Sequence, residues 1–168
     1  MKFPLFIVTG VSGSGKSITA EELRKVMVGF DVFDMDVIVN NNDYQTACSN
    51  WLKIAYYNAL SGRNTILFGN VPEPYNIHIC DHSHFFGPIH YLYLHCNDDV
   101  RTQRLHARKV WDAVGIQQTL DLSKEMADNA RNAVPPIPIL DTTNTPLSQI
   151  VNYIKKWALD NSSYKTDK

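Results

Sequence analysis

The stretch FIVTGVSGSGKSITAEEL, Phe6 to Leu23, runs from apolar β-formers through a glycine-rich loop into a helix-compatible sequence. Gly10, Val11, Ser12, Gly13, Ser14, Gly15, Lys16 and Ser17 spell G-x-x-x-x-G-K-S. Between a strand and a helix, such a loop wraps phosphates in successive backbone N–H groups. Lys16 then reaches the β and γ phosphates, and the Ser17 hydroxyl ligates magnesium. Glycine lets the backbone approach closely, and the helix N-terminus adds partial positive charge. Ile18, next in the helix, belongs to the same nucleotide-binding set. A strand-to-helix turn that is merely glycine-rich would need neither the lysine nor the hydroxyl.

Working outward, five apolar runs bounded by turn residues read as strands: Phe3 to Thr9, Asp31 to Phe33, Asn64 to Phe68, Ile89 to Cys96, and Ile137 to Leu140. Between them Lys16 to Val28 reads as a helix stopped by Gly29, and the apolar positions from Tyr44 to Leu60 as a second stopped by Gly62. Asp98 to Lys109 gives a third helix. Leu147 to Ala158, opened by Pro146, gives a fourth. The alternation predicts right-handed βαβ crossovers around a mostly parallel sheet. A single domain over residues 1–160 is expected, with a polar tail at 161–168 fraying from Asp160 onward.

Composition excludes unusual classes. With 44% hydrophobic and 20% charged residues the chain is an ordinary globular sequence, and its formal net charge of −1 gives no bulk attraction to nucleic acid or anionic membrane. Neither partner is expected. Cys48, Cys80 and Cys96 are scattered and odd in number, which suits a reducing compartment, with the cytoplasm as default. The apolar opening Phe3 to Val8 is too short for a signal-peptide core and runs directly into the glycine loop.

Phosphoryl transfer needs a group to hold magnesium and one to orient or deprotonate the acceptor. VFDMDVI supplies Asp34 and Asp36 at the end of the second strand, where ligands of open α/β sheets bind. In extended chain the two side chains would share a direction. Asp34 is assigned to magnesium, through water, and Asp36 to the acceptor hydroxyl as base or hydrogen-bond partner; a helix-capping or loop role is the structural alternative. RTQRLHARKVW carries Arg101, Arg104 and Arg108. Arg104 and Arg108, four apart, share a helical face and can meet one polyphosphate or stack on a base. Arg24 reads as facing solvent.

The loop GVSGSGKS, the DMD pair, the RTQRLHARK helix and PPIPILDTTNTPLSQIVNYI together resemble the clan of small P-loop kinases, which includes nucleoside and nucleoside-monophosphate kinases, shikimate kinase and gluconate kinase. The resemblance runs in order along nearly the whole chain, and the glycine loop is its specific part. It implies an αβα sandwich on a five-stranded parallel sheet of order 2-3-1-4-5, with a helical lid at about residues 105–130. It further implies ATP and Mg2+ as cofactors, Arg104 beside the adenine, Arg108 on phosphate, and Thr142, Thr143 and Asn144 on the other side of the base. Lys16, Asp36 and Arg108 would form the catalytic set.

The departures narrow the choice. LFGNVPEP has no acid before Glu73, which favours magnesium held by the acid after the second strand; the histidine of the gluconate kinase signature and the N-K-x-D of GTPases are absent. The acceptor stays open, with a nucleoside or nucleotide read first and a shikimate- or gluconate-like metabolite, or a nucleotide switch without an acceptor, as alternatives. A monomer or homodimer is expected.

HICDHSH places His78, Cys80, His82 and His84 at alternating positions, on one face if extended, but at no common zinc spacing. It reads as a polar surface segment near the acceptor pocket. His90 and His95 read as core or strand-edge residues, and Trp111 as covering either a ligand or the underside of the lid.

Overall fold

The computed structural model describes residues 1–162. It contains five strands, β1 (Phe3–Thr9), β2 (Phe30–Asp34), β3 (Asn64–Phe68), β4 (Phe86–His95) and β5 (Ile139–Asp141). Five helices accompany them: α1 (Lys16–Val26), α2 (Tyr44–Leu60), α3 (Asp98–Ala107), α4 (Ala113–Asn132) and α5 (Leu147–Ser162). In β1 every residue after Phe3 is buried, as only the middle of a sheet covered on both faces allows. β1 pairs in parallel with β3 and β4, and the sheet order is β2-β3-β1-β4-β5, parallel throughout.

Alternation along β1 divides the core into two layers. Phe6 and Val8 face Ala20 and Leu23 of α1 and Ile150, Val151, Ile154 and Ala158 of α5. Leu5 and Ile7 face the other way, under Ala47, Cys48, Trp51, Leu52 and Ala55 of α2. α4 covers the β4 side of that second face, with Ala127 and Ala130 against Tyr93. Each fully buried large apolar side chain contributes about 1.5–3 kcal/mol. The carboxyl ends of the strands all open toward one edge, where the glycine loop lies.

Several boundaries differ from the sequence reading. α5 continues through Ser162, past the expected start of the tail, and the rest of that tail lies outside the described residues. The expected lid region comprises the end of α3, a turn with Lys109 at φ 57°, and α4, whose N-cap Asp112 accepts from the Gly115 amide at 2.7 Å. The last residues of α4 are packed on the sheet. HICDHSH is no strand: it forms two 3₁₀ turns, Ile77–Ile79 and Asp81–Phe85. Asn76 caps the first by accepting from the His78 amide at 3.1 Å, and Phe85 stacks on Tyr56 at 4.2 Å. The histidines therefore do not share a face, and among the described residues no group of three His, Cys, Asp or Glu could hold a metal. Arg24 is not idle either, since its Nε donates to the Val32 carbonyl of edge strand β2 at 3.0 Å. Among the described residues no helix is long and apolar enough to cross a membrane.

Gly69, just past β3, shows how tightly the strand ends are packed. A Cβ there would lie 2.5 Å from Met35 Sδ and 3.1 Å from Met35 Cβ, and Met35 is fully buried beneath the segment that carries the two aspartates. Gly69→Ala should cost about 1–3 kcal/mol in chemical denaturation. An unchanged denaturation midpoint would contradict this packing.

Candidate active site

The loop after β1 is shaped by what holds its back. Gly13 and Gly15 adopt φ of 85° and 95°, a region L side chains rarely enter. Three successive carbonyls are tied down from behind. Ser12 O accepts from Arg101 Nη1 at 2.7 Å, Gly13 O from Arg104 Nη1 at 3.0 Å, and Ser14 O from Thr142 Oγ1 at 2.9 Å. In a planar trans peptide the N–H opposes the C=O, so these contacts turn the Gly13 and Gly15 amides toward the open side. The Ser14 amide donates to Val11 O at 3.1 Å; among the described residues no backbone acceptor takes the amides of Gly13, Gly15, Lys16 or Ser17. Those orphan donors at a helix start form an anion cradle.

Lys16 closes the cradle. Its Nζ donates to the Gly10 carbonyl, and its pKa falls from 10.5 to about 8, chiefly because burial disfavours the charge, with Asp36 and Asp34 pulling the other way. Ser17 Oγ donates to Asp34 Oδ2 at 2.6 Å, while Asp34 Oδ1 accepts from the Asp36 amide at 3.1 Å. Asp34 thus caps the 3₁₀ turn Met35–Ile38 as well as meeting the loop. The chain does not stay extended here, so the two carboxylates diverge instead of sharing a direction. Asp34 turns to Ser17, and Asp36 turns to Tyr75, whose hydroxyl donates to Asp36 Oδ1. Tyr75 is fully buried, and burial together with the Asp36 bond pushes its pKa up. Trp51 Nε1 donates to Met35 O at 3.0 Å and stacks on Phe33, which fixes the turn to α2.

On the α1 and α5 side of the loop lies a cavity of about 420 Å3 lined by Gly13, Gly15, Ile18, Arg104, Arg108, Thr142, Thr145 and Leu147. Arg104 and Arg108 do share it, as their spacing predicts. Arg104 is also held by Thr142 O at 3.0 Å. Of the loop after β5, Thr142 and Thr145 line the cavity and not Thr143 and Asn144. Thr143 Oγ1 is occupied by the Asn97 amide at 2.9 Å, and Asn144 is exposed. Arg101, named with the other two arginines but given no role of its own, is 0% exposed and braces the loop through Ser12 O and Cys96 O. Its i, i+4 spacing to buried Leu105 was the available signal. Tyr75 carried no such signal. Trp111 lies on the first turn of α4, where a Cβ on Gly115 would come within 3.3 Å of its ring.

The sequence matches no family model and no curated protein. Similar solved structures exist. An unliganded sugar kinase from Janibacter sp. HTCC2649 superposes with a TM-score of 0.61 at 17% identity, over 96% of this chain and 97% of that one. A gluconokinase from Sinorhizobium meliloti 1021 gives 0.57 at 18%, over 97% and 100%. A shikimate kinase from Acinetobacter baumannii, in complex with shikimate, gives 0.60 at 15%, over 96% and 95%. The chain has the fold of the small P-loop kinases. With the orphan amides, the Lys16 ammonium and the Ser17–Asp34 oxygen pair, its own residues fit a phosphate chain and a hard divalent cation.

Lys16 also makes a prediction for the protein without ligand. Folding lowers its pKa from 10.5 to about 8, so the folded chain binds this proton more weakly than the unfolded chain. The charged lysine therefore opposes folding below about pH 8, and the penalty fades between about 8 and 10.5. Lys16→Met should melt above the parent protein near neutral pH, with the gap closing as the pH approaches 10.5. A variant that melts lower near neutrality, or a gap independent of pH, would contradict the burial of this charge.

Proposed function

We propose that the protein is an ATP- and Mg2+-dependent kinase that transfers the γ-phosphoryl group to a small-molecule acceptor, a nucleoside or nucleotide in the first reading. The observation that carries it is the Ser17–Asp34 hydrogen bond of 2.6 Å beside the orphan loop amides, with Asp36 held separately by Tyr75. One carboxylate joins the phosphate cradle and the other stands apart from it. The likeness to structures named sugar kinase, gluconokinase and shikimate kinase supports the reading. All three cysteines are free thiols, which supports a cytoplasmic setting.

In this mechanism the bound Mg2+–ATP supplies the phosphoryl group and neutralises charge on it. Ser17 and Asp34 would hold the cation, directly and through water. Lys16 would exchange the Gly10 carbonyl for phosphate oxygen, where its charge counters what develops in transfer. Asp36, with Oδ1 fixed by Tyr75, would offer its other oxygen to the acceptor hydroxyl and take its proton. Arg104 and Arg108 would line the nucleotide side and keep water out.

The roles separate in kinetics. Asp34→Asn should lose activity that high magnesium partly restores. Asp36→Asn should keep nucleotide binding and lower kcat/KM for the acceptor by about 10²- to 10⁴-fold. Tyr75→Phe should act through Asp36, lowering acceptor kcat/KM about tenfold with nucleotide affinity intact. The assay is acceptor-stimulated ADP release, with ATP, magnesium and acceptor titrated separately. Slow release indifferent to every acceptor would instead describe a nucleotide switch, and magnesium rescue of Asp36→Asn alone would exchange the two carboxylates.

A further inference from the structure

A second cavity, of about 260 Å3, lies on the opposite face of the sheet from the Arg104 cavity, between α4 and the segment after β3. Its floor is Thr9 and Tyr93, register partners at the carboxyl ends of β1 and β4. Its walls include Tyr91, Ile77, Met126 and Ile137. The glycine loop, which starts directly after Thr9, thus has one cavity on each side. The segment after β3 joins this cavity to the reacting groups. Val71 exchanges hydrogen bonds with Thr9 Oγ1 at 3.0 and 3.1 Å, Tyr75 holds Asp36, and Ile77 and His78 form the wall.

The lining contains no Asp, Glu, Lys or Arg. The cations of neighbouring elements are engaged elsewhere: Arg101 donates to Ser12 O and Cys96 O, and Lys16 Nζ to the Gly10 carbonyl. From residue 37 to 95 the only basic side chains, apart from histidines, are Lys53 and Arg63. Lys53 is exposed on α2, and Arg63 pairs with Asp31 at 2.6 Å at the opposite end of the strands. On α4, Arg131 pairs with Asp128, and Lys124 and Arg131 line a different groove with Asp98 and Asp99. Arg108 faces the other cavity. An anion seated here would leave water without a cation in the lining, and Tyr75, in the segment that walls the cavity, holds the Asp36 carboxylate. That arrangement costs several kcal/mol.

We infer that this cavity is the acceptor site and that the acceptor is a neutral hydroxyl compound with a flat ring, seated against the part-exposed Tyr91, Met126 and Ile137, and not a phosphate ester or a hydroxy acid. The inference rests on the kinase reading for the role of the bound compound. Aromatic faces and a thioether favour a planar apolar body, and the His78 ring, the Asn129 amide and the Tyr91 hydroxyl offer polar contacts for its rim. Within the first reading it selects a nucleoside over a nucleotide. It also sets this chain apart from an acceptor such as shikimate, which bears a carboxylate.

The test is binding to the full chain saturated with magnesium and a non-hydrolysable ATP analogue, which blocks the nucleotide side. The probes are adenosine, thymidine and benzyl alcohol against the two monophosphates, shikimate and gluconate. At least one neutral probe should bind, with the anions at least about tenfold weaker. Met126→Trp and Asn129→Trp, one in the wall and one at the rim, should each weaken that binding about tenfold, with affinity for the ATP analogue as the control for folding. Equal or tighter binding of the anions, no binding by any neutral probe, or binding that survives both tryptophans would overturn the inference. The kinase reading fails separately. A neutral probe that binds here yet leaves ADP release from ATP unstimulated would remove the transfer step and the acceptor role, and leave only the neutral-ring site standing.

Discussion

The site depends on three carbonyl oxygens being held from behind. Ser12, Gly13 and Ser14 present their C=O groups to Arg101, Arg104 and Thr142, which come from α3 and from the loop after β5. A glycine-rich loop has the largest conformational freedom of any chain segment, and ordering it costs about 1–2 kcal/mol per residue. Charge-assisted bonds from the buried Arg101 and the half-buried Arg104 offset that cost before any ligand arrives. Their consequence is directional, because the restrained Ser12 and Ser14 carbonyls send the Gly13 and Gly15 amides toward the open side, while the Ser14 amide is taken by Val11 O. The anion cradle is therefore a product of tertiary structure, assembled by residues 89 to 128 positions away from the loop.

The same edge of the sheet sorts the two carboxylates. Asp34 ends β2 and lies within reach of Ser17, and the 3₁₀ turn it caps carries Asp36 away toward Tyr75. Buried Met35 between them is what prevents the extended geometry, since its side chain is confined beneath Gly69 and its carbonyl is held by Trp51. One short segment thus gives two acids different neighbours, Ser17 for Asp34 and Tyr75 for Asp36. The core on either side of β1 supplies the rigidity, and the chemistry is left to residues just beyond the strand ends.

Much of this was legible in the sequence, for identifiable reasons. The strand-loop-helix around Gly10–Ser17 combines a local pattern with a chemical one, and the alternation of apolar runs sufficed for the parallel sheet, whose order came from the resemblance to the small P-loop kinases. Arg104 and Arg108 followed from helical spacing. Arg101 was given no role, although it is the most deeply buried of the three, because its spacing to Leu105 marks a buried position and not the backbone carbonyls that neutralise it. Tyr75 was hidden by a segment rich in prolines, and the histidines at 78, 82 and 84 suggested an extended chain where capping by Asn76 and packing on Tyr56 produce turns. Of the expected Thr142, Thr143 and Asn144, Thr142 lines the cavity, together with Thr145, while Thr143 accepts from the Asn97 amide.

The central claim is that the amides of the glycine loop stand free and oriented for a magnesium-bound triphosphate. Amide proton–nitrogen correlation spectra recorded while Mg2+–ATP is added test it directly. The account predicts that the resonances of Gly13, Gly15, Lys16 and Ser17 shift most, and that leaving out magnesium diminishes the response at Ser17. Saturable binding that leaves these amides unmoved while others shift, or no binding at all, would contradict it.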